Sequence, residues 1–199
     1  MIYESLEILR EQVENYLADI GLGDNLLILD NIAHFVDNPS KPNEDLDNKI
    51  VLSLLNMEEE TALKNIKNSH SENGNTIKKN NPVNLNLYLL FICNRSDYAY
   101  SLRSLGGIIE YFQAKKIFNQ TNTIFSKSNE ALQAVTDFRF TVELYTPTFE
   151  ELNYIWGTLG GKSYPSALYK LTLVSLERDH ILDSRTSISA LGRTLNHMN

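Results

Sequence analysis

The tripeptide Gly161-Lys162-Ser163 is the first candidate for chemistry in this sequence, because Gly-Lys-Ser/Thr ends the phosphate-binding loop of many nucleotide-binding proteins. That loop also needs a glycine five positions before its Gly-Lys pair, and Trp156 stands there. A phosphate loop leads from a strand into a helix, whereas here a helix is predicted before the tripeptide and a strand after it. We therefore interpret Gly160-Gly161 as a helix C-terminal cap followed by a turn.

A second candidate is the run of three carboxylates Glu58–Glu60. Three consecutive side chains cannot all point at one substrate, on a strand or on a helix. The helix dipole favours anions at a helix N-terminus, so a structural role explains the run better than a catalytic one. We predict that these residues open a short helix within Met57–Ala62, directly after a strand.

Metal and nucleophile chemistry finds little support. None of the histidines has another His or Cys at metal-ligand spacing; they are His34, His70, His180 and His197. Cys93, the single cysteine, lies in an apolar run, which is typical of a buried and inert thiol. No GxSxG motif occurs. A hydrolase triad whose residues are distant in sequence and meet only in the folded chain stays an open alternative. We predict no metal, no organic cofactor and no catalytic residue.

Composition limits the partners. The 199 residues carry 18 Lys and Arg against 25 Asp and Glu, a net charge of −7, which argues against unspecific binding to nucleic acid or anionic membranes. No signal-peptide pattern and no membrane-length apolar run is present, so we expect synthesis in the cytoplasm and no membrane insertion. We predict one domain over residues 1–178 and a C-terminal tail over 179–199, flexible or docked on a partner.

Helical periodicity predicts three helices. The first covers about residues 2–20 and ends at Gly21. The second follows a cap at Ser96 or Asp97, with Gly106-Gly107 indicating close packing or a bend; its predicted apolar stripe is Tyr98, Leu102, Leu105, Ile109 and Phe112. The third opens with a capping box formed by Thr148 and Glu151.

Apolar runs and alternation predict five strands: Leu26–Leu29, Lys49–Met57 with both faces covered, Val83–Cys93, Asp137–Tyr145 and Ala167–Leu176. In the fourth strand the inward side chains are Phe138, Phe140, Val142 and Leu144. The polar segments Asn38–Asn48 and Asn65–Pro82 are predicted loops, the second of them mobile. The expected fold is α+β, a mixed sheet of about five strands covered by about three helices.

Three segments in order carry a family resemblance: IVLSLLNMEEETALKN, then PVNLNLYLLFICN with YAYSLRSLGGIIEYFQ, then TFEELNYIWGTLGGKSYPSALYKLTLVSLE. Over about residues 5–178 the chain resembles the N-terminal domain of tail-terminator (cap) proteins of contractile injection systems of the antifeeding-prophage type. The resemblance implies a tail-terminator-like fold.

The same resemblance implies a structural protein that forms a six-fold ring at the distal end of the particle. There it would cap the inner tube and anchor the last sheath ring, without catalysis and without nucleic acid. Some relatives carry a further C-terminal domain, which leaves open whether this chain is the main terminator or a shorter paralogue. The alternative from another class is a small-molecule or nucleotide-binding α/β module.

Overall fold

The structure, a computed structural model, describes residues 2–33, 46–60, 69–72, 75–79, 83–127, 129–176 and 181–186. Its helices are α1 (Ile2–Asp19), α2 (Tyr98–Ala114), α3 (Glu130–Gln133) and α4 (Phe149–Thr158). Its strands are β1 (Leu27–Leu29), β2 (Lys49–Glu59), β3 (Ser69–Glu72), β4 (Asn75–Lys79), β5 (Val83–Asn94), β6 (Ile117–Asn119), β7 (Arg139–Tyr145), β8 (Ser166–Leu176) and β9 (Ile181–Thr186).

The main sheet has six strands in the order β1-β2-β5-β8-β7-β6. β1 is parallel to β2, and every other neighbouring pair is antiparallel, so the sheet is mixed. The α+β class is confirmed. The short strand β6 was not predicted, because three residues are too few to show an alternating pattern of apolar and polar side chains.

One face of this sheet carries the larger core, under α1 and α2. At its centre Phe91 of β5 is fully buried and meets Phe112 of α2 and Tyr169 of β8 edge to face, with ring centroids 5.5 and 5.6 Å apart. Edge-to-face aromatic pairs stabilise a core beyond the area they bury. This cluster joins α2 to the two central strands.

The opposite face carries a smaller core under α4. Trp156 is the only residue of α4 that is buried, and it packs against the sheet residues Val51, Leu90, Ile92 and Leu168. Helices therefore cover both faces, but α4 has only ten residues and leaves part of its face open.

The caps of α2 and α4 agree with the sequence. Asp97 caps α2, and its carboxylate accepts a hydrogen bond from the backbone N–H of Ala99 at 2.7 Å. Thr148 and Glu151 form the predicted capping box: Glu151 N–H donates to Thr148 Oγ1 at 3.2 Å, and Thr148 N–H donates to the Glu151 carboxylate at 2.7 Å. Each cap supplies acceptors for N–H groups that a helix start leaves unpaired.

Gly107 confirms the expected close packing. A Cβ atom at this position would lie 2.9 Å from Cδ1 of Ile20 and 3.1 Å from Cδ2 of Leu17, closer than real Cβ contacts allow. Gly106, by contrast, has nothing within 4 Å of its Cβ position. Glycine at 107 therefore lets α2 lie against the end of α1.

The predicted apolar stripe of α2 is wrong in part. Tyr98, Leu102 and Ile109 are 68, 47 and 41% exposed, while Phe112 is buried as predicted. The inward residues are instead Ser101, Ser104, Gly107, Ile108, Tyr111 and Phe112. Leu105 of the predicted stripe is half-buried against the core. The small residues at positions 101, 104 and 107 let this side of the helix pack closely on the core.

Two strands are less covered than predicted. β2 is buried only from Ile50 to Ser53; its remaining residues are exposed or half-buried, so the expectation of two covered faces is wrong beyond Ser53. In β7, Phe140 and Val142 are buried as predicted, but Leu144 is 55% exposed. Because β2 and β7 run in opposite directions, these less covered C-terminal parts lie toward opposite ends of the sheet.

The predicted loop Asn65–Pro82 contains two strands, so the loop expectation is wrong there. β3 pairs with β4, and β4 pairs with β9, which lies in the predicted tail. The order β3-β4-β9 repeats the order β2-β5-β8 of the strands that precede or follow them in the chain. The rest of that loop, most of Asn38–Asn48 and residues 187–199 lie outside the described residues, and the boundary at residue 178 stays a prediction.

Glu14 joins α1 to the sheet edge. Its two carboxylate oxygens accept hydrogen bonds from the backbone N–H groups of Leu26 and Leu27 at 2.9 and 2.6 Å. Glu14→Ala would remove both acceptors, so we expect the free energy of unfolding to fall by about 1–3 kcal/mol in urea denaturation. Asn15→Ala, at an exposed position of the same helix, should change the free energy of unfolding by less than about 0.5 kcal/mol. Equal losses for the two variants would contradict this role.

Candidate functional site

The glycine pair after α4 is a helix cap, as predicted. Gly160 and Gly161 have φ of 94 and 77°, and Gly161 N–H donates to the Trp156 carbonyl at 2.7 Å. This is the bond that closes a helix through a left-handed residue. Lys162 and Ser163 follow in an exposed segment that leads into β8. The segment has the wrong topology for a phosphate loop, which must open a helix.

The carboxylates Glu58–Glu60 do not open a helix, and that prediction is wrong. Glu58 and Glu59 belong to β2, and Glu60 directly follows it, with its N–H donating to the Asn84 carbonyl at 2.8 Å. Pairing with β5 extends β2 through these residues and overrides the local preference for a helix start. Glu58 accepts a hydrogen bond from the Tyr88 hydroxyl at 2.9 Å.

Metal-binding and thiol chemistry have no visible centre in the part of the chain that the structure describes. Within it, no three His, Cys, Asp or Glu side chains are grouped as a metal site would need. Cys93 is buried, as predicted, and burial raises the pKa of its thiol to about 12. A thiol with that pKa stays protonated near neutral pH and is a poor nucleophile.

A groove of about 610 Å³ lies where α4 stops covering its face of the sheet. Its walls come from the outer half of β2, from β5, β7 and α4. Tyr88 and Tyr145 meet edge to face at its floor, with centroids 5.5 Å apart. Tyr145 donates to Glu151 at 3.2 Å, much as Tyr88 donates to Glu58. The groove is thus aromatic and acidic.

Electrostatics in this groove hold each group in one protonation state. Burial, and then the bond to Glu58, raise the pKa of Tyr88, and the bond to Glu151 raises that of Tyr145. The backbone N–H of Thr148 lowers the pKa of Glu151. Both tyrosines therefore remain donors and Glu151 remains an anion around neutral pH. The groove suits recognition of a surface better than proton transfer, and its carboxylates oppose phosphate ligands.

The two outer edges of the main sheet are the other candidate surfaces. At one edge, β1 pairs only with Ile50–Leu52 of β2. From Leu54 to Glu59 no described strand lies on that side; we call this segment the acidic edge. At the other edge stands β6, preceded by Lys116 and paired with Arg139 of β7. We call Lys116–Asn119 with Arg139 the basic edge.

Exposed apolar side chains add to these surfaces. On α2, Tyr98, Leu102 and Ile109 form an outward stripe, and Phe149 at the start of α4 is 92% exposed. Among the helices that the structure describes, none is long and apolar enough to cross a membrane. The sequence analysis missed the basic edge because it predicted no strand between the second helix and Asp137–Tyr145; the run Lys115-Lys116-Ile117-Phe118 was the available signal.

Fold and surfaces together define an α+β protein with a mixed six-stranded sheet. The chain belongs to the Pvc16 N-terminal domain family, whose model matches residues 6–189. The family resemblance carried by the three sequence segments is thereby confirmed. Among curated proteins, none matches this sequence.

Two solved structures have a similar fold. One is the sheath/tube terminator, in the extended state, of the extracellular contractile injection system PVC, with a TM-score of 0.63 and 13% identity over 100% of this chain. Another is the tube-terminating cap of the anti-feeding prophage, with a TM-score of 0.58 and 14% identity over 96% of this chain. This chain spans 64 and 60% of the lengths of those two proteins.

Proposed function

We propose that this protein caps the distal end of a contractile injection particle and ends the growth of its tube and sheath. The observation that carries the proposal is the family match over residues 6–189, to which the fold shared with a sheath/tube terminator adds support. The proposed partners are tube and sheath proteins and further copies of this chain in a six-fold ring. The subunit would be made in the cytoplasm and act within the assembled particle.

The physical task of such a cap explains what the subunit needs. A helical stack of identical subunits has no intrinsic end, because each added ring presents the surface that binds the next one. A ring that binds the stack on one face only stops addition. Its subunit needs surfaces for two lateral neighbours and for the stack, and no catalytic centre. The sheet edges, the groove and the outward stripe of α2 offer such surfaces.

The alternative of a small-molecule or nucleotide-binding module receives less support from the same geometry. The groove carries the carboxylates of Glu58 and Glu151, which repel phosphate and carboxylate ligands. The lysine-bearing segment after α4 lies in an exposed turn. We accordingly assign the protein a structural and not an enzymatic role.

The test is removal of the protein from cells that make the particle. We expect tubes and sheaths of uncontrolled length, or particles that fall apart, while tube and sheath proteins are still synthesised. Electron microscopy gives the length distribution, and immunoblots give the subunit levels. A plasmid copy of the chain should restore a narrow distribution. Fully functional particles of normal length in its absence would refute the capping role.

A further inference from the structure

The two outer edges of the main sheet carry opposite charge. The acidic edge ends in Glu58 and Glu59, followed by Glu60. The basic edge contains Lys116 and Arg139, both exposed. Like charges set opposite one another across a sheet destabilise pairing, and opposite charges favour it. An acidic edge therefore repels another acidic edge and attracts a basic one.

Register places these charges at the same height along the sheet. One continuous row of paired residues crosses five strands: Glu58 of β2, Asn86 of β5, Thr172 of β8, Thr141 of β7 and Ile117 of β6. Lys116 directly precedes the last residue of this row, and its carbonyl accepts from the Val142 N–H at 2.8 Å. The acidic edge and the basic edge thus lie at the same level along the strand direction.

Strand direction gives the two edges matching orientations. Each of the four neighbouring pairs between β2 and β6 is antiparallel, so β6 runs in the same direction as β2. A second copy placed beside the first in the same orientation brings its basic edge next to the acidic edge without any vertical shift. The outward backbone groups of β6 are bonded within the chain, since Asn122 Nδ2 donates to the Ile117 carbonyl and the Asn119 N–H donates to Asn122 Oδ1, both at 3.0 Å. The next copy would therefore meet this edge through side chains, with Ile117 level with Glu58, and not through strand pairing.

We propose that neighbouring copies of this chain bind head to tail, the basic edge of one against the acidic edge of the next. The proposal rests on the ring assigned under the proposed function and names its lateral contact. Because the two edges differ, the contact is heterologous, which is the kind that builds rings; a two-fold contact would set each edge against itself. Ile117, 45% exposed, supplies an apolar centre between the charges.

A disulfide between copies tests this contact. Glu58→Cys with Ile117→Cys in one chain places a thiol on each edge, while the native Cys93 is buried and unreactive. Mild oxidation of the purified chain at high concentration should give a ladder of crosslinked multimers on a non-reducing gel. The control, Glu58→Cys with Phe149→Cys, has its second thiol at a 92% exposed site at the start of α4, outside both edges, and should give no such ladder.

The charges are tested by reversal on each edge separately. Lys116→Glu with Arg139→Glu, and separately Glu58→Lys with Glu59→Lys, should each weaken self-association about tenfold or more, because every contact then joins like charges. Equal mixing of the two variants should restore association, since alternating copies pair opposite charges at every contact. Thermal unfolding should be nearly unchanged for Lys116→Glu with Arg139→Glu, because both side chains are exposed. The Glu58 variant should melt slightly lower, because it also loses the hydrogen bond from Tyr88.

The outcomes separate this contact from the capping role. A ladder specific to the 58/117 pair, together with rescue on mixing, supports the proposal. No ladder above the control overturns it, whether or not the unmodified chain associates in mass photometry; association without a ladder leaves a ring with a different contact. Particle length in cells lacking the protein tests capping independently of both results.

Discussion

Replacing Phe91 by alanine should lower the free energy of unfolding by about 3–5 kcal/mol, among the largest losses expected for any single residue of this protein. Phe91 has no exposed surface and holds Phe112 of α2 against Tyr169 of β8. Its removal deletes apolar burial and leaves a cavity that three elements would have to close. For a chain of this size the melting temperature should fall by about 6–20 °C.

Circular dichroism during thermal and urea unfolding measures this effect. The matched control is Phe149→Ala, because Phe149 is 92% exposed and its truncation should change stability by less than about 0.5 kcal/mol. A loss at Phe91 below about 1 kcal/mol would show that the core rearranges to fill the cavity, contrary to the packing described.

Trp156→Ala should cost a similar amount, about 3–5 kcal/mol, with a more local consequence. Trp156 is the only buried residue of the ten in α4, and it contacts Tyr164 with centroids 6.0 Å apart. Without it the helix keeps its capping box but loses its anchor on the sheet. Amide exchange in residues 149–158 should therefore accelerate more than exchange in α1 or α2.

Tyr154→Ala gives the comparison on the same helix. Tyr154 is 66% exposed, so this variant should leave both overall stability and exchange in α4 close to those of the unmodified protein. If Trp156→Ala behaved the same way, α4 would have to be held by contacts other than the one identified.

Much of the fold follows from sequence because local signals and tertiary structure agree. The apolar run of β5, the cap at Asp97 and the capping box of Thr148 and Glu151 each contain the chemistry that forms them. The Gly160-Gly161 pair likewise ends its helix through backbone freedom that other residues lack. In these places the residues themselves determine the element.

The errors arise where the decisive partner is remote in sequence. Leu102 and Ile109 look like core residues in periodicity, and only the close approach at Gly107 shows which side of α2 faces inward. Glu58 looks like a helix start until its pairing with Asn86 is known. The match in height between Glu58 and Ile117 depends on the register of four strand pairs, which no local pattern encodes.

The strands of the small sheet have a mechanical consequence. Because β3-β4-β9 repeats the order of β2-β5-β8, three adjacent strands of the main sheet are each joined in sequence to one strand of the small sheet. A pull on the small sheet along the strand direction is shared by these three strands. Since all three are pulled the same way, the load falls as shear on the two pairs that flank them, β1–β2 and β8–β7. Separating strands that are loaded in this way requires many bonds to break at once, whereas peeling from an edge breaks them one at a time. If the proposed capping function holds, this connectivity suits a subunit that stays attached while the particle contracts.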